Sequence, residues 1–403
     1  MKTLLLALLA AIALPAHAIK VSYTYDVGGR LNSVNYNGTS NTAYGYDKNG
    51  NLLSRVNTTD PLPSLAGVYN GLLENIDPDI ANVGPITLKI AINGSFSGKV
   101  TLGGASHSFT GLFPANGVAA AIIIDRKPPL NDLTLTLLLD VANGTRQVTG
   151  SITDGNFTSD IQLDRAGYNA TTNLLPGGLI GKYTALLLPT ETTSGVPQGD
   201  GYATVTVSKT GGIVLAGKLA NNVGITQSSV FAGNNVWPLF VSLHASKGYV
   251  AGLVTFETDL GNSDLDGFLS WVKPLTTGTF HPAAFDTNLT FLGSKWEVPF
   301  KGQTAIAVAG TTPNLSFNAT EGNLAAPIFQ TITLDSANKF IIPTNAAKLK
   351  LTLTTTSGVL MGSFVDGTKT RTLSGVLLQD WNSGSGFFSG TTESGLFEVE
   401  QSP

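Results

Sequence analysis

Residues 133–140 read LTLTLLLD, residues 148–155 read VTGSITDG and residues 157–166 read FTSDIQLDRA. This order of alternating strand, glycine-bearing strand, turn and third strand recurs twice, within residues 237–274 and within residues 348–380. A period of about one hundred residues indicates tandem domain-sized modules, because solenoids repeat every 20–50 residues or so. The repeat therefore predicts a chain built from three similar modules.

Within the modules the hydrophobic period is two. Ile86, Leu88 and Ile90 alternate with Thr87 and Lys89, and such alternation marks strands with one buried and one wet face. Turn pairs of the Asn-Gly and Asp-Gly type separate the strands, and they supply the positive φ values of tight hairpins. No stretch shows a helical period that would make parallel crossovers. We expect an all-β protein of tandem antiparallel β-meander modules, each closed into a small barrel or a sandwich.

Three glycines occupy matching places in the repeat. Gly150, Gly252 and Gly362 each fall inside an alternating strand, where glycine is intrinsically poor. We expect each to mark a bulge, a sharp bend or a close approach by a neighbouring aromatic group, as the meander curls shut.

A different repeat precedes the modules. Tyr23-x-Tyr25-Asp26-x-x-Gly29 is followed 21 residues later by Tyr44-x-Tyr46-Asp47-x-x-Gly50. Both copies resemble the YD (RHS) repeat, and the resemblance implies β-hairpins stacked in a spiral sheet. Two repeats are too few to close the shell that large members of that family form. We expect these residues to be structural, with Asp-x-x-Gly making the turns.

The chain starts with the features of a secretory signal peptide. Lys2 precedes the apolar residues 4–14, and Ala16-His17-Ala18 supplies a small-x-small cleavage site. No cysteine occurs. Because secreted eukaryotic domains usually carry disulfides, the sequence predicts a bacterial protein that is exported to the cell surface or the medium.

The predicted division of the chain follows from these patterns. It comprises a signal peptide (1–18), YD-repeat hairpins (19–56), a linker (57–66) and three β-modules (67–174, 175–280 and 281–403). Residues 67–400 also resemble β-rich repeats of uncharacterised exported bacterial proteins that carry YD segments. That resemblance implies export and architecture, and no mechanism.

Composition narrows the function classes. Charged residues make up 12% of the chain, and the formal net charge is −4. Without a basic cluster there is no electrostatic footprint for nucleic acid. The histidines are scattered, and no nucleophile elbow or phosphate loop is present. We therefore expect no catalytic residues and no cofactor, and a chain that does not span the membrane.

One acidic loop is a weak candidate for a metal site. Asp259, Asn262, Asp264 and Asp266 resemble the start of a calcium loop, but Lys273 stands where a bidentate Glu is needed. We favour a solvated turn there, and a second acidic loop with Glu74 and residues 77–79 is weaker still.

Two tryptophans are the candidate ligand-binding residues. Trp271 and Trp381 fall near strand ends, where sugar-stacking platforms form, although core packing is the competing interpretation. The leading hypothesis is a secreted or cell-surface, non-enzymatic β-modular protein for adhesion or polymer binding, with extracellular polysaccharide or surface proteins as partners. The alternatives are a glycan-active enzyme with carboxylates from distant strands and an outer-membrane β-barrel.

Overall fold

The computed structural model describes residues 21–36, 40–59, 61–168, 173–191, 193, 195–233, 235–257, 263–310, 312–343 and 347–402. The described chain is almost entirely β-structure, which confirms the predicted fold class. One four-residue helix, α1 (Leu62–Leu65), and a single 3₁₀ turn at Gly177–Leu179 complete the regular structure there. Contacts divide the chain into two units: residues up to Ala66 with Ala91–Gly94, and the rest from Gly67. The predicted signal peptide lies outside the described residues.

The first unit holds one antiparallel sheet in sequence order. Its strands are β1 (Val21–Tyr25), β2 (Leu31–Tyr36), β3 (Ser40–Tyr46) and β4 (Leu52–Thr59). Strand β4 runs into the segment that was predicted to be a linker from residue 57.

The two YD copies form the same turn. Asp26 Oδ1 accepts the backbone N–H groups of Gly28 and Arg30, each at 2.9 Å. Asp47 Oδ1 accepts those of Asn49 and Asn51 at 2.9 and 2.8 Å. Because a short carboxylate can replace a missing backbone partner in a turn, Asp at this position fixes the hairpin.

The glycine and tyrosine residues have different structural roles in these hairpins. Gly29 and Gly50 have φ of +74° and +89°, a region that side chains disfavour. The Tyr46 hydroxyl donates to the Leu31 carbonyl at 3.0 Å, while Tyr23 and Tyr25 are exposed.

The second unit contains three eight-stranded antiparallel sheets. The first consists of β5 (Gly67–Glu74), β6 (Gly84–Ile90), β7 (Ser95–Leu102), β8 (Ala105–Leu112), β9 (Ile122–Ile124), β10 (Leu133–Leu139), β11 (Gln147–Thr153) and β12 (Thr158–Arg165). The second consists of β13 (Gly181–Pro189), β14 (Gly201–Val207), β15 (Gly212–Lys218), β16 (Gly224–Val230), β17 (Val236–Leu243), β18 (Gly248–Phe256), β19 (Leu265–Lys273) and β20 (Phe285–Trp296). The third consists of β21 (Leu315–Glu321), β22 (Ile328–Leu334), β23 (Phe340–Ile341), β24 (Lys350–Thr354), β25 (Val359–Asp366), β26 (Lys369–Leu378), β27 (Ser383–Ser389) and β28 (Ser394–Gln401).

Each sheet curls until its first and last strands pair. Strand β5 pairs with β12, β13 with β20 and β21 with β28. The break in each hydrogen-bonded ladder lies elsewhere, between β8 and β9, β16 and β17, and β23 and β24. Pairing of the first and last strands covers their edges, and the two remaining edges of each sheet lie next to each other across the break. We refer to these nearly closed sheets as the first, second and third barrels.

The closing strand of the second barrel changes one predicted boundary. Residues 281–403 were assigned to the third module, but β20 pairs with β13 and β19 over its length. The second barrel therefore extends to Trp296, and the third begins at Leu315. The sequence repeat does not reveal this boundary. The third strand of the repeat is the closing strand in the first barrel, but not in the second or the third.

The repeat glycines are explained by close backbone approach, not by a bulge or an aromatic neighbour. A Cβ on Gly150, Gly252 or Gly362 would lie 1.9, 2.3 or 2.2 Å from a carbonyl oxygen of the adjacent strand. The strand registers are unbroken at all three. They lie in the seventh, sixth and fifth strands of their barrels, so their places match in sequence but not in topology.

The second and third barrels dock through an interface with an apolar centre. It is centred on six buried side chains: Leu186, Tyr202, Ala220, Val376, Leu378 and Phe387. Tyr202 and Phe387 stack with ring centroids 6.3 Å apart. The buried Thr184 hydroxyl donates to the Leu377 carbonyl at 2.7 Å. Apolar burial of this kind is the main stabilising force in association, so these two barrels are firmly joined.

Candidate functional site

A cleft of about 410 Å³ lies where the first barrel meets the second. Its floor is the outer face of β18 and β19. Successive side chains point to opposite faces of a strand, so Tyr249, Ala251 and Leu253 face outward together. Phe268 and Ser270 stand beside them, because Leu253 pairs with Phe268 and Ala251 with Ser270. The floor is thus apolar apart from the hydroxyl groups of Tyr249 and Ser270.

The wall of the cleft comes from the first barrel. Leu72, Leu73 and Glu74 at the end of β5 line it, followed by Asn75, Pro78 and Val83 in the next loop.

This loop is pinned to the barrel. The Asn75 side chain donates to the Thr158 carbonyl at 2.9 Å. The Asn82 side chain donates to the Asp77 carbonyl at 2.9 Å, and Ser159 Oγ donates to the Asn82 carbonyl at 2.7 Å. Loops held in this way keep a binding geometry without help from a ligand.

Tyr249 has the one buried hydroxyl of the cleft lining. The residue is 0% exposed, because the first barrel covers a strand face that would otherwise meet water. Its ring stacks on Phe240 with centroids 6.0 Å apart. Its hydroxyl has no hydrogen-bond partner in the described part of the chain. Burial raises the pKa of this phenol, and the nearby carboxylates of Asp286 and Asp79 raise it further.

Asp286 lies in an acidic neighbourhood outside the cleft lining. Burial raises the pKa of Asp286, and the charges of Asp77, Glu191 and Asp79 add to that rise. The lining itself contains one carboxylate, Glu74, and no Lys, Arg, His or Cys.

The most exposed apolar side chain of the floor is Phe268. It is 62% exposed, and Leu253 beside it is 37% exposed. An exposed aromatic face next to hydroxyl, amide and carboxylate groups suits a ligand with a flat apolar face and polar edges.

Trp271, which was predicted to bind ligand, lies in the core of the second barrel. It is 0% exposed, and its ring packs edge-on against that of Phe285 with centroids 4.7 Å apart. Its position on the same strand face as Leu269 points it inward, so it cannot be a stacking platform for an external sugar. Trp381 is half-buried against the apolar interface of the second and third barrels.

The weak metal candidate is only partly described. Asp259 and Asn262 lie outside the described residues. Asp264 Oδ2 accepts the Lys295 backbone N–H at 2.5 Å, and Asp266 accepts a hydrogen bond from the Ser263 hydroxyl. No group of three or more His, Cys, Asp or Glu side chains in the described residues has a metal-binding arrangement.

Carboxyl groups from distant strands meet at the interface of the second and third barrels. Ser385 Oγ donates to Asp200 Oδ2, and Ser385 pairs in register with Glu398. Burial, with a smaller contribution from the Glu398 carboxylate, raises the pKa of Asp200 to about 6. Burial likewise raises the pKa of Glu398.

A second acidic pair lies in the same interface. The pKa of Asp380 is raised by burial and then by the neighbouring Asp264 carboxylate. Neither this pair nor that of Asp200 and Glu398 lines the cleft.

Sequence reasoning missed the residues that form the cleft. Tyr249 and Phe268 read as ordinary outward positions of alternating strands. The single usable signal was the acidic loop with Glu74 and residues 77–79, of which the fold brings Glu74 and Pro78 to the cleft.

No helix in the described residues is long and apolar enough to cross a membrane.

The sequence matches no protein-family model and no curated protein. Solved structures show distant likeness. A mutant of transferrin binding protein B from Haemophilus parasuis Hp5 has a TM-score of 0.21 at 8% identity, over 95% of this chain and 86% of that one. A Nostoc punctiforme protein of the DUF3598 family has a TM-score of 0.18 at 10% identity, over 59% and 98%. The endo-1,5-alpha-L-arabinanase of Thermotoga petrophila has a TM-score of 0.19 at 10% identity, over 81% and 97%. Likeness of this size indicates nothing about function.

Proposed function

We propose that this chain is an exported, non-enzymatic binding protein that holds an extracellular carbohydrate polymer in the cleft between its first and second barrels. The observation that carries the proposal is Phe268, a large exposed aromatic side chain on the floor of a preformed cleft. The predicted signal peptide at residues 1–18 agrees with a role outside the cell.

Carbohydrate fits the cleft for a physical reason. A sugar ring offers weakly polar C–H faces and hydroxyl edges, so it needs an aromatic surface and hydrogen-bonding groups side by side. Phe268 and Leu253 provide the surface, while Asn75, Ser270 and Glu74 provide the polar groups. The firm docking of the second and third barrels keeps the floor rigid, which lowers the entropic cost of binding.

Replacement of Phe268 tests this proposal. For a soluble polysaccharide that the wild-type protein binds, Phe268→Ala should weaken the binding about tenfold, which corresponds to roughly 1.4 kcal/mol. The measurement is affinity electrophoresis against a polysaccharide panel. Phe329→Ala is the matched control, because Phe329 is 65% exposed on the third barrel, away from the cleft. Equal binding by the two variants would remove the cleft as the site, and binding of a surface protein alone would replace carbohydrate with protein as the partner.

A glycan-active enzyme is the second candidate, and one observation favours it. Asp200 and Glu398 come from different barrels and meet at Ser385, both with raised pKa. Paired carboxyl groups of that kind are what glycoside hydrolysis requires. Release of reducing ends from a polysaccharide, abolished in Glu398→Gln, would favour the enzyme over the binding protein.

A further inference from the structure

A histidine of the second barrel is buried against the third. His281 lies in the loop of residues 274–284, between β19 and β20, and it is 3% exposed. Its Nε2 atom accepts the backbone N–H of Ser394, the first residue of β28, at 2.8 Å. Its own backbone N–H donates to the Thr392 carbonyl at 2.8 Å. The residue therefore fastens this loop to the third barrel at two points.

The turn that receives His281 is itself held in place. Residues 390–393 connect β27 to β28, and the side-chain oxygen of Asn323 accepts the backbone N–H groups of Thr391 and Thr392 at 3.1 and 2.9 Å. On the other side of the contact, His281 has a φ of +47°, a region that residues other than glycine rarely adopt. Its conformation is therefore maintained by these contacts and not by its own backbone preference.

The hydrogen bond to Ser394 requires a neutral imidazole. A ring nitrogen accepts an N–H donor only when it carries no proton, so the proton of the neutral ring is on Nδ1. A proton on Nε2 would face the Ser394 N–H, and two donors cannot bond to each other. The Ser394 hydroxyl, 3.0 Å from Nε2, can rotate to accept that proton, but a backbone N–H cannot change its role. Protonation of the ring therefore leaves a buried backbone donor without a partner, which costs free energy.

The charges near the ring do not offset this cost. The Lys273 ammonium is fixed beside the loop, because two of the loop's carbonyl groups accept from it at 2.9 and 3.0 Å. In the receiving turn, the Glu393 carboxylate accepts a side-chain hydrogen bond within the third barrel at 2.8 Å. Burial lowers the pKa of His281 to about 4, the Gly195 carbonyl opposes this shift, and the Lys273 charge adds to it.

Carboxyl groups of the same interface respond to acid in the opposite sense. Burial raises the pKa values of Asp200, Glu398 and Asp380. As the pH falls, these groups lose a buried negative charge, which favours docking of the two barrels. His281 instead gains a buried positive charge. The two effects can therefore be told apart by their sign.

We propose that His281 is an acid-sensitive latch between the second and third barrels: protonation of Nε2 breaks the bond to the Ser394 N–H and releases the loop of residues 274–284. The apolar centre of the interface and the bond from Thr184 to Leu377 do not titrate, so the barrels stay joined while the loop opens. The neutral ring contributes fully to stability above the ordinary histidine pKa of 6.5, and this contribution is lost as the pH falls through about 4. The latch does not depend on what the cleft binds.

Hydrogen exchange followed by mass spectrometry measures opening of the latch. Between pH 6.5 and pH 4, the protection factors of peptides covering residues 274–284 and 390–397 should fall at least about tenfold in the wild type. These factors are corrected for the intrinsic effect of pH on exchange. Peptides from β13 and β26, which contain Thr184 and Leu377, should keep their protection. Equal loss of protection in these peptides would indicate general acid unfolding and would overturn a local latch.

Replacement of the ring identifies the group that titrates. His281→Gln provides an amide oxygen that accepts without titrating, so the fall in protection should shrink to less than about twofold. His107→Gln is the matched control, because His107 is a half-buried histidine of the first barrel, and it should behave as the wild type does. The latch is wrong if the wild type shows no fall, or if His281→Gln shows the same fall.

A titration of the wild type decides the matter if His281→Gln does not fold. The ring signals of His281, followed by NMR, should titrate with a midpoint below about 5. The Ser394 amide should lose its protection over the same range of pH. A midpoint near the ordinary histidine value, or an Ser394 amide that stays protected after the ring is charged, would overturn the proposal.

Discussion

The two interfaces between barrels differ in how completely they are filled. Between the second and third barrels, six buried apolar side chains form a cluster, and the buried Thr184 hydroxyl has its partner. Between the first and second barrels, the buried apolar cluster of the described residues has three members, Val83, Tyr249 and Ala251. There the packing stops at an open cleft, and a buried hydroxyl has no partner in the described residues.

The filled interface serves stability, and the partly filled interface is the candidate site for a ligand. A filled apolar interface holds its partners in one arrangement, since a void or an unpaired polar group would each cost free energy. A partly filled interface retains that cost, and a ligand that fills the cleft relieves it. The second barrel therefore has one filled and one partly filled interface, and substitutions in the two should behave differently.

The largest difference should come from loss of an aromatic ring. Phe387 is 2% exposed in the filled interface, so Phe387→Ala should lower the free energy of unfolding by about 3–5 kcal/mol. Phe240 packs on Tyr249 but is only half-buried, so Phe240→Ala should cost about 1–2 kcal/mol. Urea denaturation followed by fluorescence measures both. Equal losses would show that the first interface is as well packed as the second.

A smaller effect should depend on pH. The folded-state pKa of Asp200, about 6, lies above the ordinary value of 3.8. The contribution of the protonated Asp200 carboxyl to folding stability is therefore complete below the unfolded-state pKa, and it is lost as the pH rises through about 6. Asp200→Asn removes the charge and should stabilise the protein at pH 7.5 by roughly 2–3 kcal/mol, with no gain at pH 3.5.

The control for this pH effect is Asp286 of the other interface, an exposed residue whose carboxylate is only partly desolvated. Asp286→Asn should stabilise the protein at pH 7.5 by less than about 0.5 kcal/mol and leave stability unchanged at pH 3.5, because water screens most of that charge. Thermal melting at the two pH values measures both variants. A gain for Asp200→Asn that is the same at pH 3.5 and pH 7.5 would mean that the buried charge is not its cause.

The sequence predicts the strands well and the cleft poorly, for a physical reason. Alternation in residues 86–90 reports which face of a strand is buried, because that is decided within the strand. The same alternation places Trp271 on the core face of its strand with Leu269. This agrees with the core-packing interpretation of Trp271 and not with its interpretation as a sugar platform. Closure of the second barrel by β20 depends on pairing with β13, a hundred residues away, and leaves no local pattern.

The cleft itself depends on docking between barrels. Tyr249 has an outward position by alternation, and it becomes buried only because the first barrel covers it. Asp286 meets the loop of residues 77–79 for the same reason. No short-range pattern encodes such a meeting, so the candidate residues chosen from sequence, Trp271 and Trp381, differ from those of the cleft.

The smallest and most direct test compares two buried hydroxyl groups. Thr184→Val removes a hydroxyl that donates to the Leu377 carbonyl at 2.7 Å, and it leaves that acceptor buried and unpaired. The free energy of unfolding should fall by about 1–2 kcal/mol. Tyr249→Phe removes a hydroxyl that has no partner in the described residues, so stability should stay the same or rise slightly. Chemical denaturation of both variants beside the wild type decides the matter. If Tyr249→Phe instead costs as much as Thr184→Val, its hydroxyl has a structural partner, and the contrast between a filled and an unfilled interface fails at the atom where it is sharpest.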